Sequence, residues 1–169
     1  MFPYAVAAVA LIVALLLFGM AMRHKTLLDA AVEREMLARL DRLTPSATRA
    51  WGRMSVAQML HHLAGGLSMA TGDLSIPRRN SLLRRFPIKQ LIVFVLPFPK
   101  GAPTAPALVA KEEFDFDTER AAVRGRIATF ARREIAHWPE HPAFGPFDRD
   151  QWGVMVWKHL DHHFRQFGV

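Results

Sequence analysis

The sequence predicts an all-α protein, a four-helix bundle preceded by one transmembrane helix. Three observations predict it. The first 22 residues carry no charged side chain, and 20 of them are apolar. The remainder divides into four segments with apolar residues at helical spacing, each bounded by capping or breaking residues. No stretch alternates apolar and polar residues as a half-buried strand would, and no repeat or low-complexity tract occurs. The 169 residues suffice for one domain. Apolar residues make up 51% of the chain. Without the amino-terminal run that share falls to roughly 45%, an ordinary globular value. Twelve Phe and 22% charged residues argue against disorder. There is no cysteine, which excludes disulfides, thiolate zinc sites, iron–sulfur clusters and a thiol nucleophile.

Residues 1–22 come first. As a helix they would extend about 30 Å, the thickness of a bilayer core. No Lys or Arg precedes the run, whereas Arg23, His24 and Lys25 follow it. A cleaved signal peptide would show the reverse charge order and a shorter core. The positive-inside rule then predicts a single-pass anchor in the cytoplasmic membrane, with the domain over residues 23–169 facing the cytoplasm. No Gly or Pro lies between Met20 and Leu43, so the helix is free to continue into the domain.

The first domain helix is predicted over 25–43, with Leu28, Val32, Met36, Leu40 and Leu43 as its apolar stripe. Thr44-Pro45 ends it, because a residue before proline avoids the helical region. The second begins at Ser55, which forms an S-x-x-Q capping pattern with Gln58, and stops at Gly72-Asp73. The third is predicted over 118–136, with Val123, Ile127, Phe130 and Ile135 inward. The fourth covers 149–167, with Asp148 as its cap and Gly168 past its end. Helices of about 18–20 residues suit a bundle.

Residues 74–111 form a long crossover between the second and third helices. They hold seven cations (Arg78, Arg79, Arg84, Arg85, Lys89, Lys100, Lys111) and no Asp or Glu. The rest of the chain balances 15 basic against 15 acidic groups, so the whole formal charge of +7 lies here. Apolar residues such as Leu82, Phe86, Ile92, Phe94 and Leu96 interleave with the cations, and Pro87 interrupts them. The pattern suits contact with an anionic membrane surface. The competing reading is a solvated loop with a buried apolar helix over 89–96. Nucleic acid is disfavoured, since no recognition motif accompanies the basic charge.

Eight histidines are the best lead to chemistry. His159 and His163 are four apart on the fourth helix, so both rings reach one face. Gln166 continues that stripe. Such a pair needs a further ligand from a facing helix, and the second helix offers His61 or His62 in an apolar run, of which only one faces inward. Gly65 and Gly66 follow within a turn and leave space for a ligand or for close packing. Three neutral imidazoles leave a coordination position open, as catalytic sites do. Zinc, nickel, iron and copper all suit imidazole. His24, His137 and His141 have no second histidine at ligand spacing and are expected in loops or at interfaces. Haem binding lacks a supporting motif.

His159-x-x-x-His163-x-x-Gln166, with a mid-helix His in the second helix, resembles the DinB/YfiT-like superfamily. Leu43-Thr44-Pro45, Trp51-Gly52-Arg53-Met54-Ser55, Pro97-Phe98-Pro99-Lys100-Gly101, His141-Pro142-Ala143-Phe144-Gly145 and Trp152-Gly153 resemble one of its bacterial branches of unknown function. The resemblance covers about residue 27 to the end. It implies a DinB-like bundle with a long second crossover. It also implies a divalent-metal site of His62, His159 and His163, with zinc or nickel first among the candidate ions. Known members of the superfamily include metal-dependent thiol transferases, isomerases and hydrolase-like proteins. Joined to the anchor read from residues 1–22, which departs from the usual soluble pattern of the family, the resemblance implies a membrane-anchored, metal-dependent thiol transferase or hydrolase acting on small electrophilic substrates. Gln166 takes the catalytic position by orienting a ligand or a metal-bound water, and Trp51 and Arg165 line the pocket. Without cysteine, any thiol must come from a low-molecular-weight cosubstrate. The alternative is a non-catalytic, membrane-tethered module that binds a metal, a lipid or a protein.

Overall fold

The computed structural model describes residues 2–21 and 24–169. Among them are six α-helices and no β-strand: α1 (Phe2–Ala21), α2 (Ala30–Asp41), α3 (Val56–Thr71), α4 (Ile88–Gln90), α5 (Phe116–Phe130) and α6 (Arg149–Gln166). Helix α4 runs into a π-helical turn, Leu91–Val95. Short 3-10 turns occupy Leu82–Arg84 and Pro106–Leu108.

Two expectations about the amino-terminal segment are corrected. Among the described residues no helix is long and apolar enough to cross a membrane. The single-pass anchor, the cytoplasmic-membrane location and the orientation drawn from it are therefore not supported. A span needs about 20 consecutive, predominantly apolar residues facing lipid. Helix α1 ends at Ala21 and lies against the crossover turn Leu91–Val95, so it has protein as a neighbour. Arg23, on which the orientation partly rested, lies outside the described residues, as do Met1 and Met22. Nor does the helix continue into the domain. Residues 24–29 are irregular, and α2 starts afresh, with the Asp29 carboxylate accepting from the Ala31 N–H at 2.7 Å. The break lets Leu27 become fully buried while its N–H donates to the Gly153 carbonyl at 3.1 Å. A side chain at Gly153 would collide with Thr26 and Leu28, so that glycine lets the segment dock on α6.

The main core lies among α2, α3, α5 and α6. Helices α3 and α2 each pack against both α5 and α6. The predicted stripe of α2 is buried at Val32, Met36, Leu40 and Leu43. Helix α3 starts with the predicted capping box, Ser55 accepting from the Gln58 N–H and Gln58 from the Ser55 N–H. It ends at Gly72, whose φ of +83° is the left-handed cap that glycine tolerates. Helix α6 has a second capping box, Asp148 with Gln151. Arg39 of α2 ties α6 down through Asp161 (2.8 Å) and the Val169 carbonyl (2.8 Å).

Helix α5 is shorter than expected and stops at Phe130, not at Ala136. The chain turns there so that Trp138 folds back on Phe130, ring centroids 5.8 Å apart. That contact buries aromatic surface which a straight helix would leave exposed, and Ile135 loses its inward place. The crossover is seated rather than loose. Lys158 on α6 donates to the carbonyls of Ile92 (2.6 Å), Val93 (3.1 Å) and Leu96 (2.5 Å). Val93 and Leu108 are buried, whereas Leu82, Phe86 and Leu96 are exposed. His141 lies in a loop, as expected, but that loop is a built turn. Its Nδ1 accepts from the Ala143 and Phe144 N–H groups, and its ring meets Phe144, Phe147 and Trp152. Burial pushes its pKa down to about 4, so this imidazole is neutral packing.

Candidate metal centre

Helix α6 carries His159 and His163 one turn apart, and α3 faces them with His62. The choice between His61 and His62 is settled by their surroundings. His61 Nδ1 lies 3.0 Å from Glu119 Oε1 and its ring stacks on Phe114 at 3.9 Å, turned to α5 and its approach. His62 is buried and stands against both α6 histidines, with ring centroids 4.7 Å from His159 and 4.9 Å from His163. Each of the three residues offers one nitrogen, and these nitrogens all lie within 4.8 Å of one another. His62 Nε2 and His159 Nε2 are 2.8 Å apart.

The proton positions follow from the partners. His62 Nδ1 is 3.0 Å from the Leu108 carbonyl. A carbonyl only accepts, so Nδ1 donates and Nε2 keeps its lone pair. His163 Nδ1 is 2.8 Å from Gln166 Oε1. The Gln166 amide orientation is itself fixed, because its Nε2 donates to the Trp51 carbonyl at 2.6 Å. His163 therefore also donates from Nδ1 and presents Nε2. Support of this kind on the outer nitrogen is what metal-ligating histidines require.

Burial holds all three imidazoles below their ordinary pKa. His163 is pushed down to about 3, mainly by burial and then by His62, against a small upward pull from Gln166. His159 lies well below the usual value, from burial first and then its histidine neighbours. Burial also lowers His62, partly offset by the Leu108 carbonyl. Three neutral rings at neutral pH are the protonation state that a cation needs, since ligation competes with protons. The donor set thus fits a divalent ion.

Two glycines make the geometry fit. A Cβ at Gly66 would sit 3.0 Å from His159 Cε1 and Nδ1, so the missing side chain is filled by the His159 ring. Gly65 is filled by Leu108 instead, at 2.7 Å from where its Cβ would be. The space expected beside these glycines is therefore close packing. Gly52, with φ of +80°, admits the Gln166 amide, which would lie 2.5 Å from a Cβ there. Gln166 is engaged on both sides, by His163 and by Trp51; it positions His163.

Around the triad lie residues that spacing alone did not single out. Phe98, in the crossover, has its ring centroid 6.2 Å from both His159 and His162. His162 stands edge-on to His163 at 5.1 Å and to Trp51 at 5.6 Å. Trp51 thus stands next to His162, one residue from the triad. Arg165 is exposed and pairs with Asp161 at 2.8 Å; it lines a neighbouring hollow of about 400 Å³ together with Phe94, Trp157 and Lys158. None of the three histidines lines that hollow. The Leu108 carbonyl has no sequence signature, because a main-chain acceptor is set by the path of the crossover. Pro97-Phe98-Pro99 was visible as a motif, but nothing in it indicated a place beside the histidines.

No curated protein and no solved structure matches the chain. The family described as "Protein of unknown function (DUF1569)" matches residues 22–168. That range contains the three histidines, Gln166 and the whole crossover. The chain belongs to the DUF1569 family, which has the DinB/YfiT-like fold.

Proposed function

We propose that the chain is a divalent-metal-dependent enzyme on a DinB-like four-helix bundle of α2, α3, α5 and α6. Its reaction is of the thiol transferase or hydrolase type, on small electrophilic substrates. One observation carries the reading. Nitrogens of His62, His159 and His163 converge within 4.8 Å, and two of the rings have their other nitrogen already held by Leu108 or Gln166. Zinc or nickel suits a set of three imidazoles. Bound there, such an ion would supply Lewis acidity and make a coordinated thiol or water a nucleophile near neutral pH.

The chain's own residues orient the rings. The Leu108 carbonyl and the Gln166 amide keep the Nδ1 protons in place and aim the Nε2 lone pairs inward. Phe98 lies beside His159 and His162, and Trp51 beside His162. Among the described residues no carboxylate joins the histidine cluster, so no acidic ligand doubles as a base. That favours the thiol version, because a thiol is far more acidic than water and a bound cation would take it to the thiolate without a separate base. The thiol is supplied by a low-molecular-weight cosubstrate, since the chain has no cysteine.

A non-catalytic metal-binding module is the second reading, favoured by the Phe98 ring beside His159, 6.2 Å away. Elemental analysis of the purified protein tests the shared premise. Stoichiometric zinc or nickel is expected in the wild type and its loss in His163→Ala; a variant that keeps its full metal removes His163 from the site. Metal-dependent consumption of an electrophile such as an alkyl halide or epoxide, with a small thiol present, then separates enzyme from module.

A further inference from the structure

The chemistry of the site's rim narrows what can enter it. Lys100 belongs to the Pro97-Phe98-Pro99-Lys100-Gly101 stretch, whose Phe98 ring lies beside His159 and His162. Its ammonium lies over the Trp51 ring, 4.4 Å from the centroid. The Trp51 ring in turn stands edge-on to His162 at 5.6 Å, and His162 to His163 at 5.1 Å. Phe98, two residues before Lys100, is 6.2 Å from the His159 centroid. The cation is thus linked to the triad through two aromatic side chains, Trp51 and then His162.

Lys100 combines this position over Trp51 with the absence of a counter-charge. Among the described residues neither a carboxylate nor any hydrogen-bond acceptor holds its ammonium. Two other cations of this region are committed. Lys158, whose Nζ is 5.3 Å from the Phe98 centroid, is occupied by three carbonyls. Arg165 is paired with Asp161, and Asp161 is also taken by Arg39. The crossover from 74 to 111 contains no acidic residue that could swing in. A cation–π contact orients an ammonium without neutralising it, so its donors remain available to an anion.

We propose that the molecule entering the histidine centre carries a carboxylate, held by Lys100 beside Trp51. This rests on the metal-centre reading and deepens it by naming the ligand's charge. A carboxylate on the Lys100 side and a soft or electrophilic group on the Nε2 side define a small, two-ended anionic ligand. Neutral analogues reach the centre but lose the outer hold.

The test uses the full chain loaded with Co²⁺, whose visible absorption reports a new ligand at the centre. Mercaptoacetate, a thiol with a carboxylate, is titrated against 2-mercaptoethanol, a neutral thiol of similar size. Lys100→Met is expected to weaken mercaptoacetate by about tenfold, the order of one charge-assisted hydrogen bond, and to leave 2-mercaptoethanol within about twofold. Lys100→Arg is expected to restore most of the preference, and Lys111→Met, elsewhere in the crossover, to change neither thiol. Equal losses for both thiols in Lys100→Met, or no loss for either, overturn the proposal while leaving the metal centre standing. Failure of the wild type to take up Co²⁺ at all overturns the metal reading, and this inference with it.

Discussion

Gln166 shows how much of the site's precision comes from one buried amide. Its carbonyl accepts from His163 Nδ1 at 2.8 Å and its NH₂ donates to the Trp51 carbonyl at 2.6 Å. Gly52 gives it room. Removing the amide leaves a buried donor and a buried acceptor without partners, at a cost of about 1–3 kcal/mol each at most. It also frees the His163 ring to rotate. Gln166→Ala is therefore expected to lower metal affinity by about 10–100-fold, the usual effect of losing an outer partner of a ligand, with a modest drop in Tm. Gln166→Glu keeps an acceptor for His163 but sets an oxygen against the Trp51 carbonyl. It should retain more affinity than stability. Competition with a chromophoric chelator and a thermal melt separate the two effects; equal affinity in all three proteins would deny Gln166 its positioning role. The spacing of His159, His163 and Gln166 made this stripe legible in the sequence. The roles were not legible, because Gln166 is fixed by a main-chain carbonyl 115 residues away and His159 by a glycine on another helix. Such partners exist only after the chain has folded.

Helix limits were readable where a local hydrogen bond decides them and unreadable where tertiary packing does. Ser55 with Gln58, Asp148 and Gly72 cap their helices as the residue types foretell. The end of α5 at Phe130 was missed, since it depends on Trp138 returning to the core. The break at residues 24–29 was missed too. It has no proline or glycine, and it forms because Leu27 buries against α6 and Asp29 offers a cap. The crossover is the most consequential such case. Its helical turn is held by Lys158, whose burial lowers its pKa to about 8. The charge of that lysine is balanced by three carbonyls at the end of the turn, a favourable place for a cation. Lys158→Met keeps the length of the side chain and removes the donors. It is expected to destabilise the protein by about 1–3 kcal/mol through carbonyls left unsatisfied. Hydrogen exchange should accelerate first over residues 88–98, ahead of α3 and α6. Uniform acceleration across the whole chain would show that Lys158 supports the core in general and not the crossover in particular.

At the scale of the molecule, the all-α class and the four domain helices were legible because hydrophobic period and capping agree along each segment. The amino-terminal run was misjudged because length and hydropathy describe what a segment could span, not what it packs against. The buried core begins at Leu27 among the described residues, and every ligand, outer partner and rim residue of the histidine centre lies beyond it. Helix α1 lies against the outer crossover turn Leu91–Val95, and that turn is independently held to α6 by Lys158. The domain therefore does not need α1 to close its core. A chain shortened to residues 23–169 is expected to fold cooperatively, with a Tm within about 4 °C of the full chain. Such a shift corresponds to about 1 kcal/mol for a domain of this size. It should bind the same metal at the same stoichiometry. Its exposed apolar surface should fall, because Tyr4, Val6, Val9, Leu11 and Leu17 are all outward, so self-association should weaken in sedimentation. A shortened chain that unfolds, or that folds but no longer holds metal, would mean that α1 fixes the crossover and through Phe98 and Leu108 the histidines themselves. The amino-terminal helix would then be part of the site's scaffold, and the centre could not be understood from the family-matched residues 22–168 alone.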